Sequence, residues 1–277
     1  MTDVNAGAAQ LLAGRRILVT GGARGLGLAF ARHFCEAGAA VAIADIRAEL
    51  VESAAVGLRA SGFTAHALVA DLSEPASIER CAGEALALLG GLDGLVNNAA
   101  VTDSGGKPGD DISVEMWDRV MAVNVRGTWL MSRACHAALA ASGRGAIVNL
   151  ASDTALWGAP NLMAYVASKG AVISLTRALA REYGADGITV NAYCPGVVGT
   201  DMWVEIDKRF AELTGAPVGE TYAKFVGGIA LGRAETPDDV AGFVSYLAGP
   251  DADYMTGQAG LIDGGLVYRR HAEHNRR

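Results

Sequence analysis

From Arg15 onward the chain alternates short apolar runs with longer amphipathic stretches. Ile17-Leu18-Val19-Thr20 and Val41-Ala42-Ile43-Ala44 are β-type runs with a helical stretch to about Ala37 between them. The same pattern predicts a helix over 48–60, a strand over 64–70, a helix from Pro75 to Leu89 and a strand from Leu92 to Asn97. A Gly-rich loop follows at 103–111, then a long helix from Ser113 to about Ala141 with an expected bend at Gly127. Next come a strand over Gly145–Ala151, a helix reaching about Tyr183 and a strand over Ile188–Tyr193. Pro237, in the first-turn position proline favours, opens a helix through Leu247, and Gly260–Gly265 supplies the last strand. Strands that alternate with helices predict a parallel sheet covered on both faces. The expected fold is therefore α/β, a single Rossmann-type doubly wound domain with a seven-stranded parallel sheet.

The boundaries follow from where the rhythm starts and stops. Residues 1–13 read as a loose N-terminal arm, 14–268 as the domain, and 269–277 as a basic, apolar-poor tail. Thr200–Ala230 breaks the rhythm and mixes Trp203, Phe210, Tyr222 and Phe225 with two Gly-rich turns. Two readings stand for this stretch: an insertion covering a pocket, or a helical excursion packed on the sheet edge. No internal repeat and no Pro-rich linker divides the chain.

Composition narrows the function. Of the 277 residues, 51% are apolar and 19% charged, as suits a core-rich globular protein. The net charge of -7 argues against a nucleic-acid partner, because phosphate binding needs clustered basic charge. No apolar run approaches a membrane span and no basic start precedes an apolar stretch, so a soluble, cytoplasmic protein is expected. Cys35, Cys81, Cys135 and Cys194 stand singly in apolar segments without Cys-x-x-Cys or nearby His. They read as buried free thiols, and no metal site is expected.

Candidate chemistry gathers at the C-terminal ends of the predicted strands. After the first strand comes Gly21-Gly22-Ala23-Arg24-Gly25-Leu26-Gly27 and then a helix. Strand, glycine turn and helix is the dinucleotide-binding order, in which the backbone approaches a pyrophosphate held at the helix N-terminus. Asp45-Ile46 closes the second strand eighteen residues after Gly27. A carboxylate there can accept both adenosine ribose hydroxyls and repels a 2′-phosphate, which favours NAD; Arg24 and Arg47 nearby pull the other way. The alternative is that Asp45 caps the helix starting near Ala48. Asp71, Asn98, Ser152 and Pro195 line the same edge. In the Ala-rich segment around residue 165, Tyr165 and Lys169 stand four apart, so a helix puts a phenol and an ammonium on one face. The ammonium makes the phenol a readier proton donor and acceptor.

Taken in order, Thr-Gly-x-x-x-Gly-x-Gly at 20–27, Asp71-Leu72, Asn97-Asn98-Ala99-Ala100, Asn124, Ser152, Tyr165-x-x-x-Lys169 and Pro195-Gly196 resemble the short-chain dehydrogenase/reductase family over about residues 14 to 268. The resemblance implies that Tyr165 exchanges a proton with the substrate oxygen, Lys169 holds the nicotinamide ribose, Ser152 orients the carbonyl and Asn124 holds a water linking Lys169 to solvent. Residue by residue, the plainer readings are a strand-end hydroxyl for Ser152 and a solvent-facing side chain for Asn124. The resemblance further implies that Asp71-Leu72 meets the adenine, Asn98-Ala99 with Ala100 the riboses, and Val198 and Thr200 the nicotinamide carboxamide, with Pro195, Gly196 and Met202 in the same surface. It also implies a homotetramer formed through the long fourth and fifth helices and the C-terminal segment.

Met202-Trp203, Leu231-Gly232-Arg233 and Asp253–Gln258 are similar to family members acting on acetoin, butanediol and polyols, which implies a small diol or hydroxyketone. Asp153 and Trp157-Gly158-Ala159-Pro160 depart from those members, Thr154 joins Ser152, Asp153, Trp157, Tyr165 and Trp203 as a candidate substrate contact, and Trp157 with Trp203 suits a cyclic or aromatic alcohol. The leading expectation is an NAD-dependent secondary-alcohol dehydrogenase. The competing ones are an NADPH-dependent 3-oxoacyl-thioester reductase and a non-catalytic nicotinamide-binding protein.

Overall fold

The computed structural model describes residues 11–102 and 108–269. Seven parallel strands form one sheet in the order β3-β2-β1-β4-β5-β6-β7. They are β1 Arg16–Thr20, β2 Ala40–Asp45, β3 Ala65–Val69, β4 Gly94–Asn97, β5 Ala146–Leu150, β6 Thr189–Pro195 and β7 Ala259–Ile262. The helices are α1 Gly25–Glu36, α2 Ala48–Ala60, α3 Pro75–Leu89, α4 Val114–Met121, α5 Thr128–Ser142, α6 Met163–Tyr183, α7 Asp201–Thr214, α8 Glu220–Gly227 and α9 Pro237–Leu247. Strand order reverses between β1 and β4, where an open parallel sheet leaves a crevice for ligands.

The unbroken apolar strands are buried on both faces. Successive side chains of β1 go to opposite sides: Ile17 and Val19 pack with Phe30, Phe34 and Val244, and Leu18 packs with Ile78, Leu95 and Met131. At the N-terminal edge of the sheet the fully buried Asp93 accepts from Arg16 and Arg144. Burial alone would raise its pKa, but these hydrogen bonds outweigh it and hold the carboxyl at about 2.

Several boundaries differ from expectation. Packing begins inside the segment read as an arm, because Leu12 is fully buried and its N–H donates to the Ala37 carbonyl. Residues 1–10 and 270–277, and 103–107 of the Gly-rich loop, lie outside the described residues. The helix expected from Ser113 to Ala141 starts there, with the Ser113 hydroxyl accepting from the Met116 N–H, but it is divided by a π-helical turn over Ala122–Gly127. Gly127 serves close packing, since a Cβ there would lie 2.8 Å from the Leu72 carbonyl oxygen. Helix α9 has the expected Pro at its first position and a capping box between Thr236 and Asp239. The 200–230 stretch forms α7 and α8, which face a cavity at the C-terminal strand ends. No described helix is long and apolar enough to cross a membrane.

Candidate active site

A cavity of about 820 Å3 runs along the C-terminal edge of the sheet, from Asp45 and Asp71 at one end to Trp157 and Phe225 at the other. The glycine turn enters it between β1 and α1. Gly21 and Gly25 have φ of +65° and +54°, values that a side chain resists. A Cβ on Gly27 would run into the Gly21 carbonyl, so this glycine permits packing and does not line the cavity. Helix α1 begins without a side-chain cap and without an acidic residue in its first turn. Its free first N–H groups therefore suit the charge of a pyrophosphate.

A buried network fixes this turn. Asn98 donates from its side chain to the carbonyls of Thr20 and Gly21 at 3.0 and 3.1 Å, and accepts from the Tyr193 hydroxyl at 2.9 Å. The Thr20 hydroxyl accepts from the N–H groups of Asn98 and Ala99. The Asn98 side chain is thus committed to holding β4 against the glycine turn, while the residue itself lines the cavity. Tyr193 is a part of the site absent from the sequence reading, because an apolar strand context hid its hydroxyl.

Asp45 lies at the far end, 6% exposed. Its carboxylate accepts from Arg47 Nε at 3.0 Å, Arg47 Nη2 at 3.1 Å, the Arg47 N–H and the Ala23 N–H. Burial pushes its pKa up, and the Arg47 and Ala23 hydrogen bonds more than reverse this. Asp45 does not cap α2, which begins at Arg47 without a side-chain cap. Arg24 is paired with Asp201 at 2.8 Å on the cavity rim. Both arginines that argue for a phosphate are therefore paired with carboxylates. Asp71 Oδ1 accepts from the Ser73 N–H and hydroxyl, closing a turn before α3, while Leu72 lines the cavity beside it.

At the other end, α6 starts two residues before Tyr165, which places the phenol in its first turn and in the cavity. Lys169 follows one turn later, 1% exposed. Its Nζ lies 5.4 Å from the centre of the Tyr165 ring and donates to the Leu150 carbonyl at 2.8 Å. Burial pushes the Lys169 pKa down to about 7. Its proton is held weakly until a negative or strongly accepting group comes beside it, as a Tyr165 phenolate would.

Ser152, just beyond β5, accepts from the Thr154 N–H and hydroxyl and donates to Asp153 Oδ1 at 3.2 Å. Asp153 Oδ2 accepts from the Trp157 indole at 3.2 Å, joining the single helical turn Thr154–Trp157 to the strand end. Burial raises the Asp153 pKa to about 6, against the hydrogen bonds from Trp157 and Ser152. Asn124 is fully buried in the π-helical turn, so it does not face solvent. Its side chain exchanges hydrogen bonds with both backbone groups of Val101 at 2.9 Å and donates to Ser168 Oγ, which in turn donates to the Tyr165 carbonyl. Its amide is a clamp between the loop after β4 and the turn carrying Tyr165.

Gly21, Arg24, Gly25, Leu26, Asp45, Ile46, Asp71, Leu72, Asn98, Ala99, Ala100, Ser152, Asp153, Thr154, Trp157, Tyr165, Pro195, Gly196, Val198, Thr200, Met202 and Trp203 all line the one cavity. Gly27, Asn124 and Lys169 stand behind its wall. Glu235 went unnoticed in the sequence. Its N–H donates to the Val197 carbonyl, its carbonyl accepts from the Gly199 N–H, and its Oε2 accepts from the Gly196 N–H, so one residue fixes the Gly196–Gly199 segment. Among the described residues no cluster of His, Cys, Asp or Glu is suited to a metal.

A dinucleotide crevice ending in a serine, a tyrosine and a buried lysine defines a nicotinamide-dependent oxidoreductase. The chain belongs to the short-chain dehydrogenase/reductase family: a family model described as enoyl-(acyl carrier protein) reductase matches residues 21–267. The chain is 40% identical to a sorbitol dehydrogenase of Cereibacter sphaeroides over 92% of its own length and 98% of the relative's. It is 38% identical to an L-2,3-butanediol dehydrogenase of Corynebacterium glutamicum, over 91% and 98%. Among solved structures, a blue fluorescent protein from a metagenomic library in complex with NADPH superposes with a TM-score of 0.82 at 35% identity, over 93% of this chain and 99% of that one.

Proposed function

We propose that this protein is an NAD-linked dehydrogenase that interconverts a secondary alcohol and its ketone, with Tyr165 as the group that exchanges the proton. The observation that carries this reading is the placement of Tyr165 in the cavity with Lys169 Nζ 5.4 Å from its ring and Ser152 lining the same end. When bound, the nicotinamide takes up or returns the hydride of the carbinol carbon. Ser152 orients the substrate oxygen, and Tyr165 takes the hydroxyl proton as the ketone forms and gives it back in reduction. The Lys169 charge favours the phenolate, and Asn124 holds the turn on which Tyr165 sits. The names of the sorbitol and butanediol relatives support a secondary alcohol.

The buried Asp45 carboxylate supports NAD over NADP, because a 2′-phosphate would meet a like charge there. Rates with the two cofactors test this, and a strong NADPH preference would favour the 3-oxoacyl-thioester reductase reading. Tyr165→Phe tests the mechanism: NADH should still bind, monitored by its fluorescence, while turnover disappears. Turnover that survives would remove Tyr165 from the reaction. The same reading includes a cytoplasmic homotetramer associating through α4–α5 and α6. Trp129, 42% exposed beside a groove lined by Met121, Val125 and Leu175, supports that assembly, and light scattering of the purified protein measures it.

A further inference from the structure

The substrate end of the cavity carries more information than the reaction does. Helix α7 places Trp203, Ile206 and Phe210 at intervals of three and four residues, so they share one face, and all three line the cavity. Asp207, on the same helix and 5% exposed, accepts from the N–H groups of Gly219 and Tyr222. This carboxylate fastens the start of α8 to α7. The Trp203 ring packs against Phe225 at 5.2 Å and Tyr222 at 5.9 Å, so the cover is a packed aromatic corner. Trp157 closes the opposite side, with its indole N–H turned to Asp153.

Among the described residues, the polar side chains that line the cavity around the reacting groups include Thr102, Ser152, Asp153, Thr154, Tyr165 and Thr200. Ser152, Asp153 and Thr154 already bond to one another or to Trp157. Ser152 and Tyr165 are the two that the proposed reaction sets on the reacting oxygen. The surface around it offers ring faces and aliphatic carbon, which reward apolar area and leave further hydroxyls without partners.

The geometry points to a secondary alcohol whose carbinol carbon carries a compact apolar group, cyclic or aromatic, in preference to a polyol. This rests on the dehydrogenase reading above and narrows it. The alcohol loses its hydroxyl proton to Tyr165 and its carbinol hydride to NAD, giving the ketone and NADH. A polyol would bury several hydroxyls at once, each expected to lower kcat/KM about tenfold when left unpaired.

The experiment is a comparison of kcat/KM for 1-indanol, 1-phenylethanol and cyclohexanol against 2,3-butanediol and sorbitol, with the full chain and NAD, followed by NADH formation. The best ring alcohol should exceed sorbitol by roughly 100-fold or more. Sorbitol or 2,3-butanediol as the better substrate would overturn the substrate class and leave the dehydrogenase reading standing. No oxidation of either group, in a protein that still binds NADH, would overturn the dehydrogenase reading itself and the class with it. Trp203→Ala should then lower kcat/KM for the preferred ring alcohol about tenfold, mainly through KM. An unchanged value would remove the aromatic corner from substrate recognition.

Discussion

Replacing Lys169 by Met should abolish turnover and, at the same time, make the cofactor-free protein more stable at neutral pH. Lys169 is 1% exposed, and burial lowers its pKa from 10.5 to about 7. The unfolded chain keeps the proton up to about pH 10.5, whereas the folded chain releases it at about 7. Between those values the unfolded state binds more protons, so stability rises with pH, and below about pH 7 the full cost of the buried charge is present. A shift of this size corresponds to at most roughly 5 kcal/mol, at about 1.4 kcal/mol per pKa unit. Methionine removes that cost but leaves the Leu150 carbonyl without its 2.8 Å donor, which costs about 1 kcal/mol. Met fills nearly the same apolar volume, so the net gain expected at about pH 6 is roughly 2–4 kcal/mol, fading towards pH 10. Urea unfolding of both proteins without cofactor across this range measures it. A Met variant less stable than the parent at about pH 6, or a difference that does not change with pH, would refute the assignment of a strained ammonium to this site.

Glu235→Gln should act with the opposite pH dependence. Burial raises the Glu235 pKa to about 8, helped by Asp239, Asp153 and Asp263 and opposed by the Gly196 N–H. The folded carboxyl stays protonated while the unfolded one ionises above about 4.5, so stability falls as pH rises from about 4.5 to 8. Glutamine keeps an acceptor for Gly196 and should stabilise by a few kcal/mol at about pH 8 and little at about pH 5, as read by thermal unfolding. Asp93→Asn should cost about 2–3 kcal/mol at neutral pH, because the depressed carboxyl stabilises the fold above about pH 3.8 and loses that contribution as pH falls towards 2. Denaturant midpoints of the two proteins should converge in acid. Asp45→Ser should raise the KM for NAD about tenfold or more and improve use of NADP, since Arg47 loses its carboxylate partner; steady-state kinetics with both cofactors measure the ratio.

The fold was legible because its strands are buried on both faces and read as unbroken apolar runs, such as Ile17–Val19 and Val41–Ala44, between helices of ordinary length. The residues at the reacting end were legible for a similar reason. Tyr165 and Lys169 are joined by helical periodicity, and Ser152 sits at a strand end, so local rules bring them to one place. What stayed hidden depends on contacts distant in sequence. Tyr193 reaches Asn98 from 95 residues away, and Asn124 reaches Ser168 from 44. The hydrogen bonds of the Asn98 side chain to the glycine turn were equally hidden. The π-helical turn at Asn124 has no local sequence signal either, since the hydrogen bonds that hold the side chain come from Val101 and Ser168.

The two ends of the cavity are specified by different physics, and this explains why the reaction could be read before the substrate. The cofactor end and the proposed proton donor depend on backbone turns and on helical spacing, which a few residues fix: glycines at Gly21 and Gly25, and Tyr165 one turn from Lys169. The proposed substrate end depends on where α7 and α8 settle, and a buried carboxylate, Asp207, helps to fix that by accepting from two N–H groups across the intervening turn, together with the packing of Trp203 on Tyr222 and Phe225. Aromatic residues in that stretch were visible from the start, but their ring packing on one another was not, because it follows from the clasp and not from periodicity alone. Moving the clasp changes the shape of the substrate wall and leaves Ser152, Tyr165 and Lys169 on their own elements. Under the proposed function, substrate choice can therefore change through α7 and α8 while the chemistry stays fixed.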